Sequence, residues 1–135
     1  MKVILDTNVF ISGIFFNGPP FRILQAWRDG KVQLAISLEI LEEYRRVGEI
    51  LVEGHPDIDL EPVMEFVLEN STLYAVPPLQ EQVCEDRDDD KFFACALASG
   101  SDLIISGDRH LLKVSGYQNI EVLKPREFLN RLERG

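Results

Sequence analysis

"DDDKFFACALASGSDLIISGD" (residues 88–108) holds a helix, a stop and a strand in one run, with acids at both ends. A helix from about Asp90 that buries Phe92, Phe93, Ala96 and Leu97 is predicted, ended by Gly100. "DLIIS" then reads as a strand whose apolar core is continuous rather than alternating. Strands of that kind are buried on both faces, as in parallel sheets covered by helices.

The same alternation extends outward in both directions. "KVIL" (Lys2–Leu5) reads as a first strand, followed by a helix from near Thr7 to about Phe15 and a break at Asn17-Gly18-Pro19-Pro20. "FRILQAWRDG" reads as a helix closed by Gly30, "VQLAIS" as a strand, and Ser37 as the N-cap of "LEILEEYRRVGEILV". "DLEPVMEFVLENS" is a further helix, and "LYAVPP" a strand stopped by prolines. "IEVL" is another strand, and "PREFLNRLERG" a terminal helix with Pro125 in its first turn. Strand and helix alternate throughout, without repeat, linker or low-complexity tract. The expected fold is one α/β domain over residues 1–135 with a parallel sheet covered on both faces.

Bulk composition narrows the function classes. The apolar fraction of 45% and charged fraction of 27% are those of an ordinary globular protein. Two cysteines, Cys84 and Cys95, with no CxxC pair and no neighbouring His, argue against a disulfide framework or zinc site and fit a reducing cytoplasm. The apolar start is interrupted by Asp6 and Asn8, so it is not expected to be a signal peptide, and no run is long enough to span a membrane. The net charge of −9 opposes phosphate-backbone binding unless bound cations invert the field locally.

Five acids lie in six positions at 85–90: Glu85, Asp86, Asp88, Asp89 and Asp90. Either they cap and solvate a helix start or they supply ligands to a divalent cation. Each acid gains only about 0.3–1 kcal/mol from the helix dipole, which accounts for one or two of them. Asp89 lies one turn before Phe93 and projects toward the inward face. Asp6 and Asp108 both follow predicted strands, on the carboxyl edge where open α/β sheets bind ligands. On the helix "LEILEEYRRVGEIL", Ile40, Tyr44, Val47 and Leu51 form the inward stripe. Glu43 sits about 100° from Tyr44, on the apolar flank, where a carboxylate needs a partner such as Arg46 or a cation. Glu42 points to solvent.

Together "VILDTNVFISGI", "SLEILEEYRRV", "DRDDDKFFACALASGSDLIISGDRHLL" and "VLKPREFL" resemble the PIN-domain family, in order and spacing over essentially the whole chain. The likeness is closest to the VapC-like branch, ribonuclease toxins of toxin–antitoxin pairs. It implies a three-layer α/β/α fold with a mostly parallel five-stranded sheet and a nuclease site dependent on Mg²⁺ or Mn²⁺. Carried over residue by residue, the four family acids fall on Asp6, Glu43, Asp89 and Asp108, with Asp90 a near tie for the third. Asp6, Asp89 and Asp108 are the implied metal ligands. Asn8, Asp86 and Ser106 match supporting positions, Asp86 with an equal case as a helix cap.

The reading is therefore a cytoplasmic metal-dependent endoribonuclease cutting single-stranded RNA, with a small antitoxin and a homodimer as expected partners. Lys91 and Arg109 are candidate substrate contacts. Phe15, Phe16 and Phe21 read chiefly as core, with a base-stacking platform or partner surface as the other option. The alternatives are a catalytically weak or silent PIN domain that binds RNA or protein, and a phosphoacceptor receiver module. The receiver requires an acidic pair after the first strand, where this chain has one acid.

Overall fold

Five short strands, β1 (Lys2–Leu5), β2 (Gln33–Ser37), β3 (Ser71–Tyr74), β4 (Leu103–Ile105) and β5 (Glu121–Leu123), make one sheet ordered β3-β2-β1-β4-β5. The computed structural model describes residues 1–134, and Gly135, expected at the end of the last helix, lies outside the described residues. All four strand pairings are parallel, so the sheet is wholly rather than mostly so. Val3, Ile4 and Leu5 of the central strand are fully buried, as a strand covered on both faces must be.

The connecting helices are α1 (Thr7–Phe15), α2 (Pro19–Arg28), α3 (Leu38–Val52), α4 (Leu60–Asn70), α5 (Asp90–Ser99), α6 (Arg109–Lys113) and α7 (Pro125–Arg134). They cover both sheet faces in a three-layer α/β/α arrangement. The chain builds β1, β2 and β3 outward in one direction. It then returns to the other side of β1 for β4 and β5. That reversal makes a crevice at the carboxyl ends of β1 and β4, the place where sheets of this type bind ligands.

Packing between helices sets the crevice walls. Phe10 of α1 stacks on Tyr44 of α3, with ring centroids 4.0 Å apart and planes 6° apart. The Tyr44 hydroxyl donates to the carbonyl of Leu5 over 2.5 Å, tying α3 to the end of β1. At the other end of the sheet, the Arg131 guanidinium donates twice to the Glu121 carboxylate, at 2.8 and 3.1 Å, and holds α7 to β5.

Several elements differ from the sequence expectation. α2 begins at Pro19 rather than after the prolines, because residues in a first helical turn need no N–H donor. β3 starts at Ser71, directly after α4, and ends before the Pro77-Pro78 pair. α6 and two 3-10 turns, Arg87–Asp89 and Tyr117–Asn119, are too short to show a period. Leu97 is exposed, and the buried face of α5 is completed by Ala94 and Cys95 instead. Phe16 and Phe21 are exposed rather than core, with Phe15 and Phe16 flanking the ring of His55. Among the described residues, no helix is long and apolar enough to cross a membrane.

Candidate active site

Asp6 follows the last residue of β1, and its amide continues the ladder by donating to the Ile105 carbonyl of β4 at 3.1 Å. Its side chain is buried and serves two neighbours. One carboxylate oxygen caps α1 by accepting from the Val9 amide at 2.8 Å, and the other accepts from the Ser106 hydroxyl. Ser106, wholly buried after β4, also accepts from the Asp108 amide at 2.9 Å. Asp108 in turn caps α6 by accepting from the His110 amide at 2.8 Å. One hydroxyl therefore joins the two strand-end acids across the crevice.

Glu43 reaches the same crevice from α3. Its carboxylate accepts from the Thr7 hydroxyl at the start of α1 and from the Lys91 ammonium of α5. Arg46 stands farther off at 3.5 Å. Lys91 also donates to Asp88 at 3.0 Å, and only 7% of its side chain is exposed. Burial acts to lower the Lys91 pKa, but Glu43 and Asp88 outweigh it and hold the ammonium above its usual value. Lys91 is thus an interior partner of two carboxylates. Any contact of Lys91 with substrate would have to compete with these two bonds.

Asp89 comes from the 3-10 turn before α5 and makes no capping bond with its side chain. With Asp6, Thr7, Asn8, Glu43 and Asp108 it lines a cavity of about 120 Å³. Asp90 is elsewhere. Its carboxylate accepts from the Val83 and Cys84 amides, at 3.1 and 2.7 Å, and pins the preceding loop to α5. The two adjacent acids, a near tie in the sequence, have separate tasks. Asp86 caps the 3-10 turn through the Asp88 amide at 2.9 Å and does not line the cavity. Arg109 is exposed beside Asp108.

Burial, and after it charge crowding, acts on Asp6 and Asp89. Burial lifts the Asp6 carboxyl to about 6, opposed by its bonds from Ser106 and Val9 and reinforced by the charges of Asp108 and Asp89. Asp89 is also raised to about 6, by burial first and then by Asp108, Asp86, Asp88 and Glu43. Among the described residues, no group of three or more His, Cys, Asp or Glu side chains is already arranged to hold a metal ion. The donors around the cavity are nonetheless all hard oxygens, four carboxylates with a hydroxyl and an amide, which fits Mg²⁺ or Mn²⁺ and not a thiolate or imidazole site.

A family model described as PIN domain matches residues 2–110, a span that contains every residue lining this cavity except Leu111. The chain belongs to the PIN-domain family. It is also 30% identical, over 148 aligned positions, to an uncharacterized protein of Methanocaldococcus jannaschii, covering 99% of this chain and 93% of that protein. PIN domains are generally nucleases that use divalent metal ions. In this PIN domain the sheet supplies Asp6 and Asp108 from one edge, while α3 and the turn before α5 bring Glu43 and Asp89 over it.

Sequence reasoning missed one residue of this site, Thr7, and the pairing of another, Lys91. Thr7 lies beside Asp6 and looked like an ordinary first helical residue, but its hydroxyl holds Glu43. Lys91 had a readable signal. The run Phe92–Ala96 is apolar around a full helical turn, so the start of α5 is enclosed even though Leu97 is exposed farther along, and a lysine at that start needs a partner.

Proposed function

We propose that this PIN domain is a ribonuclease that hydrolyses phosphodiester bonds of single-stranded RNA with Mg²⁺ or Mn²⁺, acting as the toxin of a toxin–antitoxin pair. The observation that carries the nuclease part is the gathering of four carboxylates from four separate segments around one small cavity at the sheet's reversal point. The VapC-like sequence pattern supports the choice of RNA and the toxin role.

Asp6 and Asp89 would hold the ion, with Asp108 joining directly or through water. A bound divalent ion neutralises phosphoryl oxygens and lowers the pKa of water. Ser106 bonds both the Asp6 carboxylate and the Asp108 amide, so it would hold the two strand-end acids in a fixed relation. Glu43, held by Thr7 and Lys91, would orient water or the metal. Asn8 is exposed at the cavity mouth and would donate its amide to a phosphate oxygen, with Arg109 supplying charge nearby.

Purified protein would be incubated with single-stranded RNA and Mg²⁺ or Mn²⁺, with and without EDTA, beside an Asp6→Asn variant. Cleavage that requires both the metal and Asp6 is the expected result. Cleavage by the variant at the wild-type rate points to a contaminant. RNA binding without cleavage under any metal condition replaces the nuclease with the silent binding module.

A further inference from the structure

A cavity of about 600 Å³ lies outside the catalytic crevice and on the same edge of the sheet. It opens beyond the carboxyl ends of β2 and β3, where Ser37 and the segment after Tyr74 form its floor and wall. In sheet order the two cavities are neighbours, one over β3 and β2, the other over β1 and β4. They share a partition. Lys91 and Asp88 line the wide cavity, while Glu43 and Asp89, one bonded to Lys91 and the other next to Asp88, line the catalytic one.

The wall of the wide cavity is preformed. Residues 75–86 carry no helix or strand, yet Asp90 grips the Val83 and Cys84 amides, and the Gln82 side chain donates to the Cys84 and Glu85 carbonyls at 2.9 and 3.1 Å. Along it, Val76, Pro77, Pro78 and Leu79 face Ala94 of α5, giving an apolar slot with a charged mouth. Glu39, Gln80 and Glu81 at that mouth are exposed, and their oxygens are hydrogen-bond acceptors. Lys91 is already committed to Glu43 and Asp88, which leaves Arg87 as the base available at the mouth. A phosphate is therefore a poor occupant, and a flat neutral ring with amine donors on its rim is a good one.

We propose that this cavity receives a nucleobase of the RNA strand, next to the phosphate in the catalytic crevice, and prefers bases bearing an exocyclic amine. The inference rests on the ribonuclease reading and adds to it a determinant of cleavage sequence. Unstacked bases of single-stranded RNA are read by hydrogen bonds along their edges and by contacts to their faces. Carboxylates accept from base amines. Adenine, cytosine and guanine offer such an amine. Uracil presents carbonyl oxygens there, which the acidic mouth repels. Pro77, Pro78 and Leu79 would cover the face of the ring.

The test uses ¹⁵N-labelled Asp6→Asn protein with Mg²⁺, titrated with short oligo-A, oligo-C and oligo-U while amide shifts are followed. The expected result is saturable shifts at Glu39, Leu79, Gln80 and Ala94, with oligo-A and oligo-C binding about tenfold more tightly than oligo-U. A Glu39→Gln/Glu81→Gln double variant in the same background should bring the three oligonucleotides close to parity, since the glutamine amide also offers a donor to uracil. Equal affinities for all three in the unsubstituted mouth overturn the proposal. Shifts confined to Asn8, Asp89 and Asp108 overturn it while leaving the ribonuclease reading intact. No shift in either cavity at millimolar oligonucleotide defeats both.

Discussion

Ser106 is the residue on which the strand-end acids depend. Its hydroxyl donates to Asp6 and accepts from the Asp108 amide, and no solvent reaches it. Ser106→Ala removes both bonds and leaves a buried carboxylate oxygen and an amide short of partners, a loss of about 1–3 kcal/mol. Changes of this kind behind a metal ligand weaken metal affinity by roughly 10–100-fold. Isothermal titration with Mn²⁺ should show that loss, and Ser106→Thr, which keeps the hydroxyl, should restore most of it. An unchanged Mn²⁺ affinity in the alanine variant would detach Ser106 from the site. Asp6 and Asp89 make a second prediction. Their folded pKa values, about 6, lie above the ordinary 3.8, so the folded protein holds more protons than the unfolded chain between about pH 4 and 6. Their effect on stability is therefore unfavourable once pH has risen through that window. In EDTA, melting should occur at a higher temperature at pH 5 than at pH 7. Asp88, held low mainly by its hydrogen bond from Lys91, and Glu121, held low mainly by that from Arg131, act in the opposite sense. Their contribution is lost only as pH falls below the usual carboxylate range, so it does not mask the comparison. The positions of Asp6 and Asp108 were legible because strand ends can be read from apolar runs. The choice of Asp89 over Asp90 was not, since it turns on which carboxylate meets the amides of a loop without periodicity.

A helix start was readable where a polar side chain caps a periodic run, as at Ser37, but not at α2, whose Gly18 makes no side-chain cap, nor at the short α6. Asp6, Ser37, Asp59 and Asp108 each accept from an amide two or three residues ahead, as short polar side chains do at an N-cap. Helix contacts are a different matter, since the partner of a close approach is not written locally. Gly13 shows this. A Cβ there would stand 2.5 Å from Leu24 Cδ1 and 2.9 Å from the Pro20 carbonyl oxygen, so α1 and α2 touch through the glycine. Alanine would gain about 1 kcal/mol in helix preference but overpack the contact by about 1–3 kcal/mol, with backbone as one of the obstacles. Gly13→Ala should therefore lower the urea midpoint, by a net loss of up to about 2 kcal/mol. Gly48 is the internal comparison. The nearest neighbours of its added Cβ would be Leu60 side-chain atoms, at 3.0 Å and beyond, and that side chain can turn aside. Gly48→Ala should be tolerated far better than Gly13→Ala. Equal losses at the two positions would mean that α1 and α2 are not locked at Gly13.

Across the whole molecule the excess of acid sets the terms on which a polyanion can approach. A net charge of −9 repels RNA at long range, and four acids concentrate that field at the crevice where a phosphate would have to enter. The fold makes this concentration unavoidable. Placing β4 beside β1 brings Asp6 and Asp108 to one edge, and the stacking of Phe10 on Tyr44 carries Glu43 to the same place. That the sheet is parallel was implied by the alternation of elements, whereas the strand order and this convergence depend on packing that no local pattern encodes. Without a cation the crevice is an electrostatic cost that folding bears. A divalent ion that binds the folded protein and not the unfolded chain should remove that cost and add its own binding free energy. At a hundredfold excess over its dissociation constant the gain is about 2.7 kcal/mol, which corresponds to roughly 10 °C in melting temperature for a chain of this length. Calorimetric scans at pH 7 over a Mg²⁺ series should show that rise, and Asp6→Asn should flatten it. General screening of the acidic surface also raises stability, but it depends on ionic strength and not on the identity of the cation. A KCl series at matched ionic strength separates the two. If KCl raises the melting temperature as far as Mg²⁺ does, the acids stabilise no common ion, and the nuclease reading loses its physical basis.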